Sequence, residues 1–451
     1  MPDPTAFTDL APLAADGPVR SIRPSRTEGG SADRDAMAEA VRVLRLPATI
    51  RERCGAITAA VADGRSAHFT LERARLGEVV KRVVAATELR YPGGKLPLHS
   101  RWRHFEAGGV DRLGQLDKRL SGLDDAARAR ARIDLAVVSV LLDAGAGSEW
   151  KYLEGGAARR FVRSEGLAVA SFNAFISGAF SSDPQDPLRV DASALERMTT
   201  AQLAAMFQVA QGNPLVGLEG RVMLMQRLGA ALRKRADVFG EPGRPGRLFD
   251  LLGQAPVSGP DGVVVRVPVR KLRAGHILRA LLKAFGGIWP SGQTLGGKAI
   301  GDVWAHPLAG GSGPSAGRVP FHKLSQWLAY SLVEPFQWAG IAVDGLEELT
   351  GLPEYRNGGL FIDAGVLLPR NPAYGAHLYT PADAFVVEWR ALTVTLLDEV
   401  ARGVRSAIGQ PLLPLAAVLE GGTWAAGRQI ASERRPGGPP PVKVASNGTL
   451  F

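Results

Sequence analysis

Apolar residues along this chain recur mostly three and four positions apart, the spacing that lines one face of a helix. Residues 35–63, with AMAEAVRVLRL followed by IRERCGAITAAVAD, keep that period, and so do residues 70–89. Residues 108–118 and the Arg/Ala-rich 126–143 continue it. In the second of these, Ile133, Val137, Val140 and Leu141 form a core-facing stripe, preceded by Arg128, Arg130 and Arg132. Residues 150–240 alternate short helices and turns, with Asp191 placed to cap one helix start. Residues 218–235 predict a long helix whose basic end suits the helix dipole. Further helices are predicted over 274–285, 321–336 and 384–402. The alternation VVVRVPV at 263–269 predicts a strand, which Pro268 confines to an edge.

The ends read differently. Residues 1–34 are rich in Pro, Gly, Ser and Asp and predict a loose arm; 306–320 predict a flexible loop, and 432–451 an irregular tail. No repeat of fixed period and no clear linker divides the rest. The expectation is one mainly α domain over 35–431, with a few short β segments.

Charge interrupts this apolar pattern at a few places, and a charge embedded in apolar sequence is costly unless paired or used. Glu354, Tyr355 and Arg356 stand side by side between Pro353 and Gly358-Gly359. Glycines permit tight turns near a ligand, so this segment is either a turn aiming three side chains into a pocket or a solvated surface turn. Glu388 and Arg390 lie in the predicted helix 384–402, Glu388 at the border of the stripe Phe385, Trp389, Leu392, Leu396, Val400, with Glu399 on the same side. That is either acid–base chemistry at a core edge or the charged border of an amphipathic helix. Asp143 closes the helix over 126–143, where a carboxylate opposes the dipole, and Trp150 and Tyr152 follow it. The misfit points to another role, although a plain helix end fits equally. Lys323 and Gln326 open FHKLSQWLAYSLVEPF, where Lys323 suits a phosphate and Pro335 should stop or kink the helix. His99 and His104 bracket RWR, read as a basic anchor or, in preference, a solvated turn.

With 451 residues, 45% hydrophobic and 22% charged, the chain has material for a substantial core. It contains no apolar run of membrane-spanning length, no signal-peptide pattern, and a single cysteine, Cys54, which excludes a disulfide framework. A cytoplasmic location is expected. The net charge of +10 favours anionic over cationic partners, yet arginine used throughout the chain accounts for it equally. YPGGK and LGGKAIGD do not fit a phosphate loop, and the dinucleotide fingerprint and HExxH are missing. Seven scattered histidines give no metal spacing. No metal and no cofactor is expected, no membrane contact, and the sequence argues against nucleic acid as partner.

Several segments resemble the uracil catabolism protein 4 family of fungi and bacteria: YPGGKLPLHSRWRHFEAGG (91–109), SFNAFISGAFSS (171–182), DPLRVDASALERM (186–198), HKLSQWLAYSLVEPFQWAGI (322–341), LTGLPEYRNGGLFIDAGVL (349–367) and EGGTWAAGRQIA (420–431). The resemblance implies a pathway that attaches uracil to ribose phosphate, opens the ring and releases urea, with a ribosylurea phosphate as the substrate. A weaker resemblance, in motif order, is to the queuosine 5′-phosphate N-glycosylases, which implies an all-helical architecture like that of DNA glycosylases. There an LLDA-type turn with aromatics, a Lys-bearing helix, an Asp-Tyr-Arg turn and a Glu-x-Arg helix follow one another. Those parts fall here on Asp143 with Trp150, Lys323 with Gln326, Glu354-Tyr355-Arg356, and Glu388 with Arg390. This chain departs by carrying Glu at 354 and Asn357-Gly358-Gly359 where that family has Val-Pro-Gln.

The resemblance therefore implies a hydrolase that cleaves the N-ribosyl bond. Glu354 is the expected carboxylate beneath the sugar, with Asp143 in reserve or on the ribose hydroxyls. Lys323 and Arg356 are expected on the 5-phosphate and Trp150 and Tyr355 beside the urea or sugar, while Glu388 and Arg390 bind substrate or clamp each other. The alternatives are a ureido C–N hydrolase releasing ammonia and a non-catalytic protein that binds a phosphorylated intermediate.

Overall fold

The computed structural model describes residues 29–155, 159–258, 264–289 and 292–445. Within them the protein is mainly α, and its strands occur as short two-stranded pairs scattered around the helices. None of the described helices is long and apolar enough to cross a membrane. Of the expected arm over 1–34, residues 1–28 lie outside the described residues, and the chain is already helical from Gly29.

The helical period of 35–63 is divided into Gly29–Leu44 and Pro47–Ala62. Proline has no N–H to continue the first helix but suits the first turn of the next. Residues 70–89 likewise begin as a strand, Phe69–Leu71, paired with Leu367–Pro369, before the helix Leu76–Arg90 starts. The helix Ala274–Phe285 has the predicted bounds, Asp191 caps Ala192–Glu196 by accepting from the Ala194 N–H, and the expected edge strand appears as Val264–Pro268 in a hairpin with Gln254–Ser258.

The helix Lys323–Trp338 runs through the centre, against Asp125–Leu141 and Ala274–Phe285. It does not stop at Pro335. A proline there leaves the carbonyl of Ser331 without its intrahelical donor, and the indole N–H of Trp102 takes that place at 2.8 Å. The Ser331 hydroxyl meanwhile accepts from the Arg101 N–H at 2.9 Å. The proline thus becomes the docking point for the short helix Arg101–Phe105, which the sequence reading had preferred as a solvated turn.

The helix Ala384–Ala407 packs on Pro47–Ala62 and Leu76–Arg90, and Tyr355–Asp363 crosses both it and Trp424–Arg434. Gly358 lies inside a helix, contrary to the expected turn, where a β-carbon would sit 2.7 Å from the Trp389 ring. Gly427 meets the same segment from the other side: its β-carbon would lie 2.2 Å from the Arg356 carbonyl oxygen. The glycines here serve close helix contact rather than chain reversal.

Two other irregular stretches are structured. Within 306–320, Arg318–Pro320 pairs antiparallel with Val303–Ala305, and the reversal is tied by His306 N–H to Gly317 O at 2.8 Å. In the predicted tail, residues 432–434 finish the helix Trp424–Arg434, and Lys443–Val444 pairs in parallel with Leu378–Tyr379. Residues 446–451 lie outside the described residues.

Candidate functional site

The ends of four helices converge on a cavity of about 410 Å³. Asp143 arrives one residue past the cap of Asp125–Leu141, Arg163 and Ser164 open Arg163–Ile176, and Lys323 opens the central helix. Glu354, Tyr355 and Arg356 form the start of Tyr355–Asp363. His99, His104, Trp327 and Trp424 add aromatic wall, and Gly437–Val444 of the expected irregular tail supplies another side. Two of these helix starts use backbone that side-chain-bearing residues rarely adopt: Arg163 has φ 55°, and His322, just before Lys323, has φ 47°. Left-handed non-glycine residues are held by their surroundings and concentrate at functional sites.

Burial pushes Asp143, Glu354 and Lys323 of the cavity toward their neutral forms. Asp143, unfavourable at a helix C-terminus, is held by the buried Arg101 guanidinium at 2.9 Å and by the Ser164 hydroxyl at 2.5 Å. Burial raises its pKa, against the charges of Arg101 and Lys323 and the Ser164 bond. Glu354 caps its helix, accepting the Asn357 N–H at 2.5 Å and the Arg356 N–H at 2.7 Å. Its pKa too is raised by burial, despite those bonds and the Lys323 charge. The Lys323 pKa is lowered by burial, while Glu354 and Asp143 pull it back up. A carboxylate, an ammonium and a second carboxylate therefore share one poorly solvated space, the arrangement that tunes acid–base groups.

Arginine lines the same space. Arg356 donates to Gly438 O at 2.8 Å, and its guanidinium lies 5.0 Å from the centre of the Tyr355 ring. Burial, then the neighbouring Arg356 charge, lowers the Arg163 pKa. Two guanidiniums so close favour an anion between them.

Trp150, Glu388 and Arg390 stand outside this lining, which corrects the expectation that they touch substrate. Trp150 is fully buried, donating to Phe207 O at 2.9 Å. Arg390 is clamped not by Glu388 but by Asp302, with contacts of 2.8 and 2.7 Å. Asp302 in turn accepts from the Trp304 indole and from the backbone N–H of Lys323 at 3.0 Å. Burial works against the Asp302 charge, but Arg390 and these donors hold its pKa at about 2. Glu388 is buried between Ser66, whose hydroxyl donates to it, and His306 at 3.4 Å. Gln326, also outside the lining, bonds the Thr350 side chain and accepts its N–H at 3.1 Å. Arg390 still bears on the site, because its partner Asp302 fixes the start of the helix that presents Lys323.

The sequence reading missed Arg163, Ser164 and Trp424 at the cavity, together with Arg101 behind it, and passed over His99 and His104. Their signal was slight: two histidines and a basic tripeptide in an aromatic segment, and an arginine after an exposed strand. None is separable from surface polarity by spacing.

Residues 43–451 match the family described as "Protein of unknown function (DUF1688)". Two curated relatives are similar over most of their length. The "Uracil catabolism protein 4" of Lachancea kluyveri is 39% identical over 419 residues, covering 86% of this chain and 93% of that one. The "Protein urg3" of Schizosaccharomyces pombe is 41% identical over 392 residues, covering 85% of this chain and 92% of that one.

Proposed function

Because this chain belongs to the uracil catabolism protein 4 family, we propose that it acts in uracil breakdown, as a cytoplasmic N-glycoside hydrolase that cleaves a ribosylurea phosphate into urea and ribose phosphate. The observation that carries this reading is the meeting of Glu354, Asp143 and Lys323, distant in sequence, in one cavity with Arg163 and Arg356.

Breaking an N-ribosyl bond develops positive charge on the sugar. In this reading Glu354 lies against that charge, stabilises it and takes a proton from the attacking water. Its raised pKa makes it a better base than an exposed carboxylate. Asp143, fixed by Arg101 and Ser164, accepts from the ribose hydroxyls. Arg163, Arg356 and Lys323 take the 5-phosphate, since bonds between charged donors and phosphate oxygens are the strong ones. Tyr355 and Trp327 border sugar and urea.

The test is incubation of the purified protein with ribosylurea 5-phosphate, followed by assays for urea, ammonia and ribose 5-phosphate. Urea and ribose 5-phosphate in equal amounts support the reading. Ammonia with no urea replaces it by ureido C–N hydrolysis, and tight binding without turnover replaces it by a non-catalytic role.

A further inference from the structure

His99 lines the cavity, and its ring is fixed from several directions. Its ring centre lies 4.4 Å from that of Trp327, the two planes tilted by 40°, and its backbone N–H donates to Ala416 O at 3.0 Å. Its Nδ1 meets the Glu420 carboxylate at 2.8 Å. Glu420 is itself buried and held by the Arg90 guanidinium at 2.7 Å and the Tyr91 hydroxyl at 2.9 Å. It sits in a π-helical turn, Leu419–Thr423, a kind of irregularity frequent at functional sites. The turn is pressed on the helix Leu76–Arg90: a β-carbon at Gly422 would lie 2.2 Å from Val83 O. With Nδ1 committed to the carboxylate, Nε2 is the remaining polar ring atom of a residue that lines the cavity.

His104, the second histidine of the lining, is placed differently. Its Nδ1 is 3.1 Å from Arg101, and burial, followed by the Arg101 charge, pushes its pKa well below the usual range. It stays neutral, while His99 alone of the two has a carboxylate on its ring. Burial opposes the Glu420 charge, but the His99 bond and the Arg90 charge help to hold its pKa at about 2. A carboxylate ionised at every physiological pH favours an imidazolium beside it.

We propose that His99 is the general acid of the reaction, donating its Nε2 proton to the ureido nitrogen as the bond to ribose breaks, and that Glu420 is its positioning residue. This rests on the N-glycoside hydrolase reading above. Without such a donor urea would leave as an amide anion, a very poor leaving group. The step balances. The C1–N electron pair stays with the nitrogen, which takes the His99 proton and departs as neutral urea. Water then bonds to C1 and gives its proton to Glu354, and exchange with solvent returns a proton to His99.

The test compares two substrates, ribosylurea 5-phosphate and 4-nitrophenyl ribofuranoside 5-phosphate, whose leaving group departs as a stable anion and needs no proton. His99→Asn is expected to lower kcat for the ureide by about 10²- to 10⁴-fold, the usual contribution of a general acid, and for the nitrophenyl substrate by less than about tenfold. Retained nitrophenyl turnover also reports that the variant folds. Glu420→Gln leaves the ring in place and provides a second measurement. Of titratable groups, His99 meets Glu420 and, at 6.4 Å between ring centres, His104, which is itself near Arg101 and Arg428; Arg90 and Tyr91 bond Glu420. Removing the carboxylate is expected to lower kcat for the ureide by far more than for the nitrophenyl substrate, with KM for both near wild type. An unchanged ureide rate in His99→Asn, or an equal loss on both substrates in His99→Asn or in Glu420→Gln, overturns the assignment while leaving the hydrolase reading intact. A wild-type protein that releases no urea overturns both.

Discussion

The first residue of the central helix belongs to two clusters of charge. Through its backbone N–H, Lys323 joins Asp302 and Arg390; through its side chain it joins Asp143 and Glu354. Both clusters are buried, but in the first the carboxylate of Asp302 is saturated. Asp302 has two contacts from Arg390, an indole and a backbone N–H, and its pKa falls to about 2. In the second, burial outweighs the neighbouring charges and bonds, so both carboxylate pKa values rise and that of the ammonium falls. Saturated charge fixes structure, and under-compensated charge beside a void is available to a ligand.

The largest effect separating the clusters should come from Glu354→Gln. The amide still accepts one backbone N–H at the cap but cannot act as a base, so urea release is expected to fall by about 10²- to 10⁴-fold, with a melting temperature close to wild type. A robust rate in this variant would remove Glu354 from the mechanism and blur the distinction. Arg390→Ala should do the reverse. It strands Asp302 in the interior and is expected to cost about 3–5 kcal/mol in guanidinium unfolding. Replacing both partners, Asp302→Leu with Arg390→Met, should recover much of that loss; a double variant no better than the single would mean that the pair does more than satisfy itself.

Arg163→Ala sharpens the comparison on the cavity side. Losing one charged donor to phosphate is expected to raise KM by about 10- to 100-fold, from the roughly 1.5–3 kcal/mol of such a bond, with no change for the dephosphorylated substrate. An equal rise on both substrates would place Arg163 elsewhere.

The smallest expected effect is on stability in acid. The depressed Asp302 pKa means that the folded state binds fewer protons than the unfolded chain. Its contribution is present above the unfolded value of about 3.9 and lost as pH falls through about 2. The loss is on the order of 2 kcal/mol, and Asp302→Asn should flatten it. Glu354 has the opposite sign. Its raised pKa favours the folded state at low pH, and that advantage disappears as pH rises through the folded value. Glu354→Gln should therefore gain stability relative to wild type toward neutral pH, apart from the lost cap bond, and denaturation midpoints between pH 2 and pH 7 would show both trends.

The sequence reading singled out Asp143, Lys323, Glu354, Tyr355 and Arg356, and all five line the cavity. Asp143 was flagged for a physical reason, its conflict with the helix dipole, and Arg101 and Ser164 are the groups that resolve it. Glu388 and Arg390 were flagged on equal grounds, charge in apolar sequence, yet both are enclosed by partners. His99 was passed over because no local conflict marks it: a histidine before a basic tripeptide looks like solvated chain until Glu420 is placed on its ring.

Helical class, the apolar stripes and the bounds of Ala274–Phe285 followed from the sequence by itself, because a helix face is written in residues three and four apart. The helical period runs across Pro47, where the structure divides it, and it does not show that Trp102 carries the helix past Pro335. Which buried charges are saturated and which open on the cavity was decided only by tertiary structure. Arg390 meets its carboxylate 88 residues away and Arg101 its carboxylate just past the end of another helix. A charge's free energy depends on everything within a few ångströms, and helical spacing records only the neighbours along the chain.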